Sequence, residues 1–101
     1  MRTDSFRDYV LEQLAALDGV YCRTMFGGTG LYYEETFFGI IYDGRLYFKT
    51  RAATLDKYLH YQATVFAPSS RQVLRNYREV PAEILEDSCQ LAIWARESAQ
   101  A

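Results

Sequence analysis

Cysteine is scarce: the chain holds two, Cys22 and Cys89. Two are too few for a disulfide framework, and a reducing compartment suits them. Neither has Cys or His neighbours at the spacing a zinc site needs, so no metal is expected. Histidine occurs once, at His60. It falls near the end of a short helical stretch, where a capping or solvated role is simpler than catalysis. The acidic pair Glu34-Glu35 sits in a turn, and no pair of carboxylates shows a spacing that converges on a pocket. No apolar run approaches the roughly 20 residues of a membrane span. The N terminus lacks the apolar core of a signal peptide. A cytoplasmic, non-membrane protein is the expectation. Gly27, Gly28 and Gly30 have neither the trailing helix of a dinucleotide loop nor a Gly-Lys-Ser/Thr. They read as a bend or bulge in a strand. No cofactor and no catalytic residue are expected.

What is present is apolar and aromatic. Half of the 101 residues are hydrophobic and 16% are aromatic, mostly nine Tyr and six Phe. One domain over 1–101, built on a single core, fits that length. Net charge is −2 and the pI is 5.3, which argues against a dedicated nucleic-acid binder. The charge is unevenly spread. Residues 1–44 hold three cations and seven acids, residues 45–78 seven cations and one acid, and residues 79–101 one cation and five acids. A basic middle between acidic ends is either neutralised by the fold or forms a basic face.

The stretch from Arg23 to Thr50 reads as three antiparallel strands opened by the glycine-rich bend. Ahead of it, Phe6, Tyr9, Val10, Leu14 and Leu17 recur at helical spacing, with Asp4 or Ser5 as cap and Asp18-Gly19 as stop. Val20 to Phe26 is a strand candidate. Gly30–Glu34 and Phe37–Tyr42 follow as strands. Asp43-Gly44, between two β-rich runs, predicts a two-residue type I′ hairpin. That register pairs Tyr42 with Arg45, Ile41 with Leu46, Ile40 with Tyr47, Gly39 with Phe48 and Phe38 with Lys49. Paired residues share a face. Phe37, Gly39, Ile41, Leu46 and Phe48 then form the core face. Phe38, Ile40, Tyr42, Arg45, Tyr47 and Lys49 form a mixed face, the candidate interaction surface, covered in part either by a helix of the same chain or by a second copy. Arg51–Tyr61 reads as a helix with Leu55, Tyr58 and Leu59 inward. Thr64–Ala67 and Arg71–Val80 read as two strands around Pro68-Ser69-Ser70. Leu74 is out of phase with Arg71, Arg75 and Tyr77, which form a candidate basic patch. Pro81 opens a last helix with Ile84, Leu85, Leu91, Trp94 and Ala95 inward, kinked or re-capped at Asp87-Ser88. Residues from Glu97 onward are expected to fray.

Several of these residues carry a resemblance. They are Arg23-Thr24-Met25-Phe26-Gly27-Gly28, Gly30-Leu31-Tyr32, Asp43-Gly44 with Leu46-Tyr47-Phe48-Lys49, and Tyr77-Arg78-Glu79-Val80-Pro81 through Trp94-Ala95-Arg96. In that order and spacing the chain resembles the N-terminal domain of TfoX/Sxy, regulators of natural competence genes in bacteria, from about Phe6 to Ala99. The resemblance implies an α+β fold of the secretion-chaperone kind, α-β(3)-α-β(2)-α, an antiparallel sheet with helices packed against it. It implies a bacterial cytoplasmic protein and no catalytic residues. Met25, Phe26, Gly27, Gly28, Gly30, Asp43, Gly44, Pro81 and Trp94 are read as structural. Full-length members carry a second, helical domain, for which this stretch leaves no room, and are thought to help the cyclic-AMP receptor protein at competence promoters.

The leading functional expectation is a non-catalytic protein-interaction module in competence-related transcription regulation, with such a regulator or a second copy as partner. Direct nucleic-acid binding through a basic, aromatic sheet face is the alternative. A small enzyme of unknown reaction is the third.

Overall fold

The structure is a computed structural model that describes residues 5–25 and 27–100. Helix α1 (Ser5–Gln13) leads into strands β1 (Val20–Met25), β2 (Gly28–Tyr33), β3 (Thr36–Tyr42) and β4 (Arg45–Lys49). Helix α2 (Ala52–His60) follows, then β5 (Val65–Ser69), β6 (Gln72–Glu79), the short α3 (Ala82–Leu85) and α4 (Ser88–Ser98). All strand pairings are antiparallel. The order across the single sheet is β1-β2-β3-β4-β6-β5. The α+β class and the antiparallel sheet are as expected. Four strands precede α2, as the candidate runs from Val20 onward give and one more than the α-β(3)-α-β(2)-α order that the resemblance implies.

Residues of all four helices join Leu31, Phe38, Ile41, Leu46 and Phe48 in one buried cluster. Val10, Leu14 and Leu17, spaced four and three apart, face it from α1 and the turn beyond. Tyr9 belongs to the same sequence pattern but is 37% exposed. In α2, Thr54 and Tyr58 point inward, whereas Leu59 is exposed. Pro81 takes the N-cap position of α3, one residue earlier than expected. Asp87 re-caps the chain at α4: its Oδ1 accepts from the Gln90 amide at 3.1 Å. Trp94 lies edge-on to Tyr58, ring centroids 4.7 Å apart, and the Lys57 ammonium stands 4.5 Å above its ring. Lys57 also pairs with Glu97, and Arg51 donates to the Glu97 carbonyl at 3.3 Å. These contacts dock α2 on α4 and hold the last turn in place, so Ser98 and Ala99 are buried rather than frayed.

The hairpin at Asp43-Gly44 follows its local chemistry. Both residues have positive φ, 53° and 73°, as a type I′ turn requires. The four pairs from Tyr42↔Arg45 to Gly39↔Phe48 are those the turn dictates.

Beyond Gly39 the alternation breaks. Against β2, Gly39 pairs with Leu31 and Phe37 with Tyr32, leaving Phe38 as an extra residue. A bulge of this kind turns two successive residues toward one side. Phe38 therefore joins the helix-side core at 0% exposure, its ring 5.5 Å from Phe48. Phe37 moves to the opposite face, packed on Ile40, Tyr47, Phe66 and Tyr77. The two expected positions are exchanged: Phe38 leaves the interaction surface and Phe37 leaves the core.

Candidate functional site

The sheet face away from the helices is where sequence reasoning put an interaction surface. Much of it is covered, by a strand and not by a helix. Ile40, Tyr47, Phe66 and Tyr77 form a second buried cluster, with Phe37, Tyr42 and Leu74 packed against it. Phe66 of β5 lies 4.8 Å from the Tyr47 ring and 5.4 Å from the Tyr42 ring. In a flat sheet, strands two and three places apart are separated by roughly 10 and 14 Å. The Phe66 ring of β5 therefore leans across β6 and over the face.

The register of β5 shows how. Val65 pairs with Arg78, and the next residue, Phe66, pairs with Leu74. The jump leaves residues 75–77 of β6 without partners on β5. This places Leu74 and Tyr77, three apart, in the same cluster, against the expectation that they alternate. The basic patch is divided accordingly. Tyr77 is 7% exposed, while Arg75 is exposed on β6 and Arg71 is exposed in the β5–β6 turn. Of the predicted surface, Ile40 and Tyr47 are buried, Tyr42 and Lys49 half-buried and Arg45 exposed. Arg45 bonds to Glu79 at 3.2 Å.

The glycine motif makes the rest of the face possible. Gly27 has φ +77° at the β1–β2 turn. A Cβ on Gly28 would lie 2.7 Å from the Ile41 carbonyl oxygen, and one on Gly30 2.7 Å from the Met25 sulfur. Phe26, assigned to the same motif, lies outside the described residues. With no side chain at Gly28 or Gly30, Met25, Phe37 and Tyr42 settle over the strands. They line a trough of about 350 Å³ completed by Ile40, Phe66 and Leu74.

Beside the trough runs a row of rings that the sequence pattern did not reveal. Tyr21 stacks on Tyr32 with centroids 5.3 Å apart and planes 11° from parallel. Tyr32 meets Phe37 at 5.2 Å, and Phe37 meets Tyr77 at 5.8 Å. The Arg23 guanidinium lies 5.6 Å over Tyr32, and Lys49 pairs across the sheet with Tyr77. Tyr21 is 40% exposed, and Tyr32 and Phe37 are half-buried. Among the described residues no ion pair engages Arg23 or Lys49. The row crosses β1, β2, β3 and β6 because cross-strand partners share a face and because the bulge at Phe38 supplies Phe37. The basic middle of the chain is thus split. Arg51 and Lys57 engage α4, and Arg45 pairs with Glu79. Lys49 is left beside the aromatic row.

Burial raises the Tyr77 phenol to about 12, with Tyr32 nearby adding to the shift. Burial likewise raises Tyr58 in the helix-side core, partly opposed by its hydrogen bond with Ser98. Both phenols are held neutral in the fold, against an ordinary value of about 10. The stability they contribute is complete below about pH 10 and is lost as the pH climbs from there toward 12. An absorbance titration at 295 nm should show the Tyr77 and Tyr58 phenols ionising only with unfolding. Tyr77→Phe should move the alkaline unfolding midpoint upward; an unchanged midpoint would remove Tyr77 from its cause.

His60 is exposed, edge-on to Tyr61. No group of three or more His, Cys, Asp or Glu among the described residues could hold a metal ion. No helix among them is long and apolar enough to cross a membrane. The surface offers π faces, an apolar trough and nearby cations, which suit docking.

A comparison with curated proteins returns no match. A family model describing the TfoX N-terminal domain matches residues 12–101, and that family is not a known enzyme family. With nearly the whole chain matched, sheet and α2 to α4 included, the protein belongs to the TfoX N-terminal domain family.

Proposed function

We propose that this domain is a non-catalytic docking module in competence-related transcription regulation, and that the open sheet face receives a protein partner. Family membership supports the regulatory role. The observation that carries the docking reading is the partly exposed row Tyr21–Tyr32–Phe37–Tyr77 with Arg23 and Lys49 on it. Aromatic residues and arginine are enriched where proteins meet and carry much of the binding energy. A regulator such as the cyclic-AMP receptor protein is the partner to try first.

The test is calorimetric titration of that receptor, and separately of RNA polymerase, into the domain and into Tyr32→Ser. This variant removes the ring shared by two contacts of the row. Binding by the parent and a loss of about tenfold or more in the variant, as for a truncated hot spot, is the expected outcome. Equal binding by both proteins would take the row out of the interface. Binding to neither protein would end the reading.

The same row favours one other reading, single-stranded nucleic acid stacked on the rings. It predicts affinity for an oligonucleotide that falls steeply with salt. No binding at low ionic strength would dispose of it.

A further inference from the structure

We propose that the domain self-associates edge to edge through β1, joining two six-stranded sheets into one across a two-fold axis centred at Cys22. The two edges of the sheet are not alike. The β5 edge is short, contains Pro68, which has no amide hydrogen to donate, and is interrupted by two register breaks. These features block strand addition. The β1 edge is six residues long, carries no proline and is paired with β2 without a break. Its outer edge is a regular template for another strand. Alongside it on the helix side lies a cleft of about 520 Å³ lined by Leu11, Leu14, Leu17, Val20 and Cys22, among others. Alternate side chains of an added strand would enter it.

Symmetry then selects the register. Two copies of one strand pair antiparallel about a two-fold perpendicular to the sheet. This operation keeps each helix layer on its own side, and residues placed opposite one another must share a face. Val20 and Cys22 pack toward the helices. Arg23 and Met25 lie on the open face over Tyr32 and Gly30, and Tyr21 stacks beside them on Tyr32. Centring the axis on Arg23 sets two guanidinium groups directly opposite, which is destabilising. Centring it on Tyr21 or Thr24 shortens the overlap. Centring it on Cys22 sets Val20 opposite Thr24 of the second copy, Tyr21 opposite Arg23, and Cys22 opposite Cys22. Each Arg23 then meets a tyrosine ring, the same kind of contact it makes with Tyr32 inside its own chain. This complementarity between the exposed ring and the exposed cation of one strand commits the edge to a second copy.

The proposal is tested on the domain alone, so it stands or falls apart from any heterologous partner. Light scattering across concentration should approach twice the 11.7 kDa chain mass. Opposed residues of an antiparallel pair have Cα atoms about 4.5–5.5 Å apart, within disulfide reach. In Cys89→Ser, an added copper–phenanthroline oxidant should take two protons and two electrons from the opposed Cys22 thiols and give a covalent dimer. Cys22→Ser should abolish it. Tyr21→Lys should raise the dimer dissociation constant by about tenfold or more, since two pairs of like charges then face each other. Adding Arg23→Glu to Tyr21→Lys should restore assembly by making each pair opposite in sign. A monomer at every concentration overturns the proposal, as does a dimer that does not cross-link through Cys22 or is indifferent to Tyr21→Lys.

Discussion

Phe38→Ala should lower the free energy of unfolding by about 3–5 kcal/mol, the usual cost of emptying a buried phenylalanine site. Phe37→Ala should cost clearly less, roughly 1–2 kcal/mol, because that side chain is only half withdrawn from water. Against the 5–15 kcal/mol that holds a small domain together, the first loss is large. The difference rests on the bulge. Phe38 is 0% exposed under the helices and packs on Phe48, while Phe37 joins the row on the open face. A strand without the bulge would reverse the order, placing Phe37 in the core and Phe38 outside. Urea unfolding of the two variants therefore reads the strand's geometry directly. If Phe37→Ala proved the more damaging, the exchange of faces would be wrong.

Gly28→Val should be the second severe substitution, at about 3 kcal/mol, the upper end of what an overpacked site costs. The added Cβ would stand 2.7 Å from the Ile41 carbonyl oxygen and 3.1 Å from a ring carbon of Tyr42. The first is backbone and cannot turn aside. The β2–β3 ladder must open or the β1–β2 hairpin must shift, and either movement disturbs the trough under Met25 and Tyr42. A drop in thermal midpoint with a native-like circular dichroism spectrum at low temperature is the expected signature. A midpoint within a degree or two of the parent would show that the strands have room, and the glycine would need another explanation.

Much of this domain was legible in the chain itself. The Asp43-Gly44 turn is the clearest case. Two residues tolerant of positive φ between β-rich runs set their own geometry, and the next four cross-strand pairs follow. The Asp87 cap, the helix-side role of Trp94 and the glycine-rich turn after β1 were readable for the same reason. Each depends on the conformational preferences of a few adjacent residues. So did the family resemblance, carried by the order of such local signatures.

The candidate site was less legible. Its row of rings is drawn from four strands, and period-two alternation assigned Phe37 and Phe38 to the wrong faces. The bulge that exchanges them depends on how many residues β3 must place against β2 while Phe38 fills the space beneath the helices. The jump at Val65–Phe66 likewise depends on β6 being paired to β4 on its other side. It puts Leu74 and Tyr77 in one cluster with Phe66 and Tyr47, while Arg71 stays exposed in the turn.

The sequence by itself determined the class of fold, the register of the Asp43-Gly44 hairpin and the break at Asp87 that starts the last helix. These follow from short-range backbone energetics and from residue types. Only the tertiary structure decided which face each aromatic side chain occupies, which cations stay unpaired, and which sheet edge is open. Those outcomes are settled by packing between segments far apart in the chain, where one extra residue in a strand reverses every face beyond it.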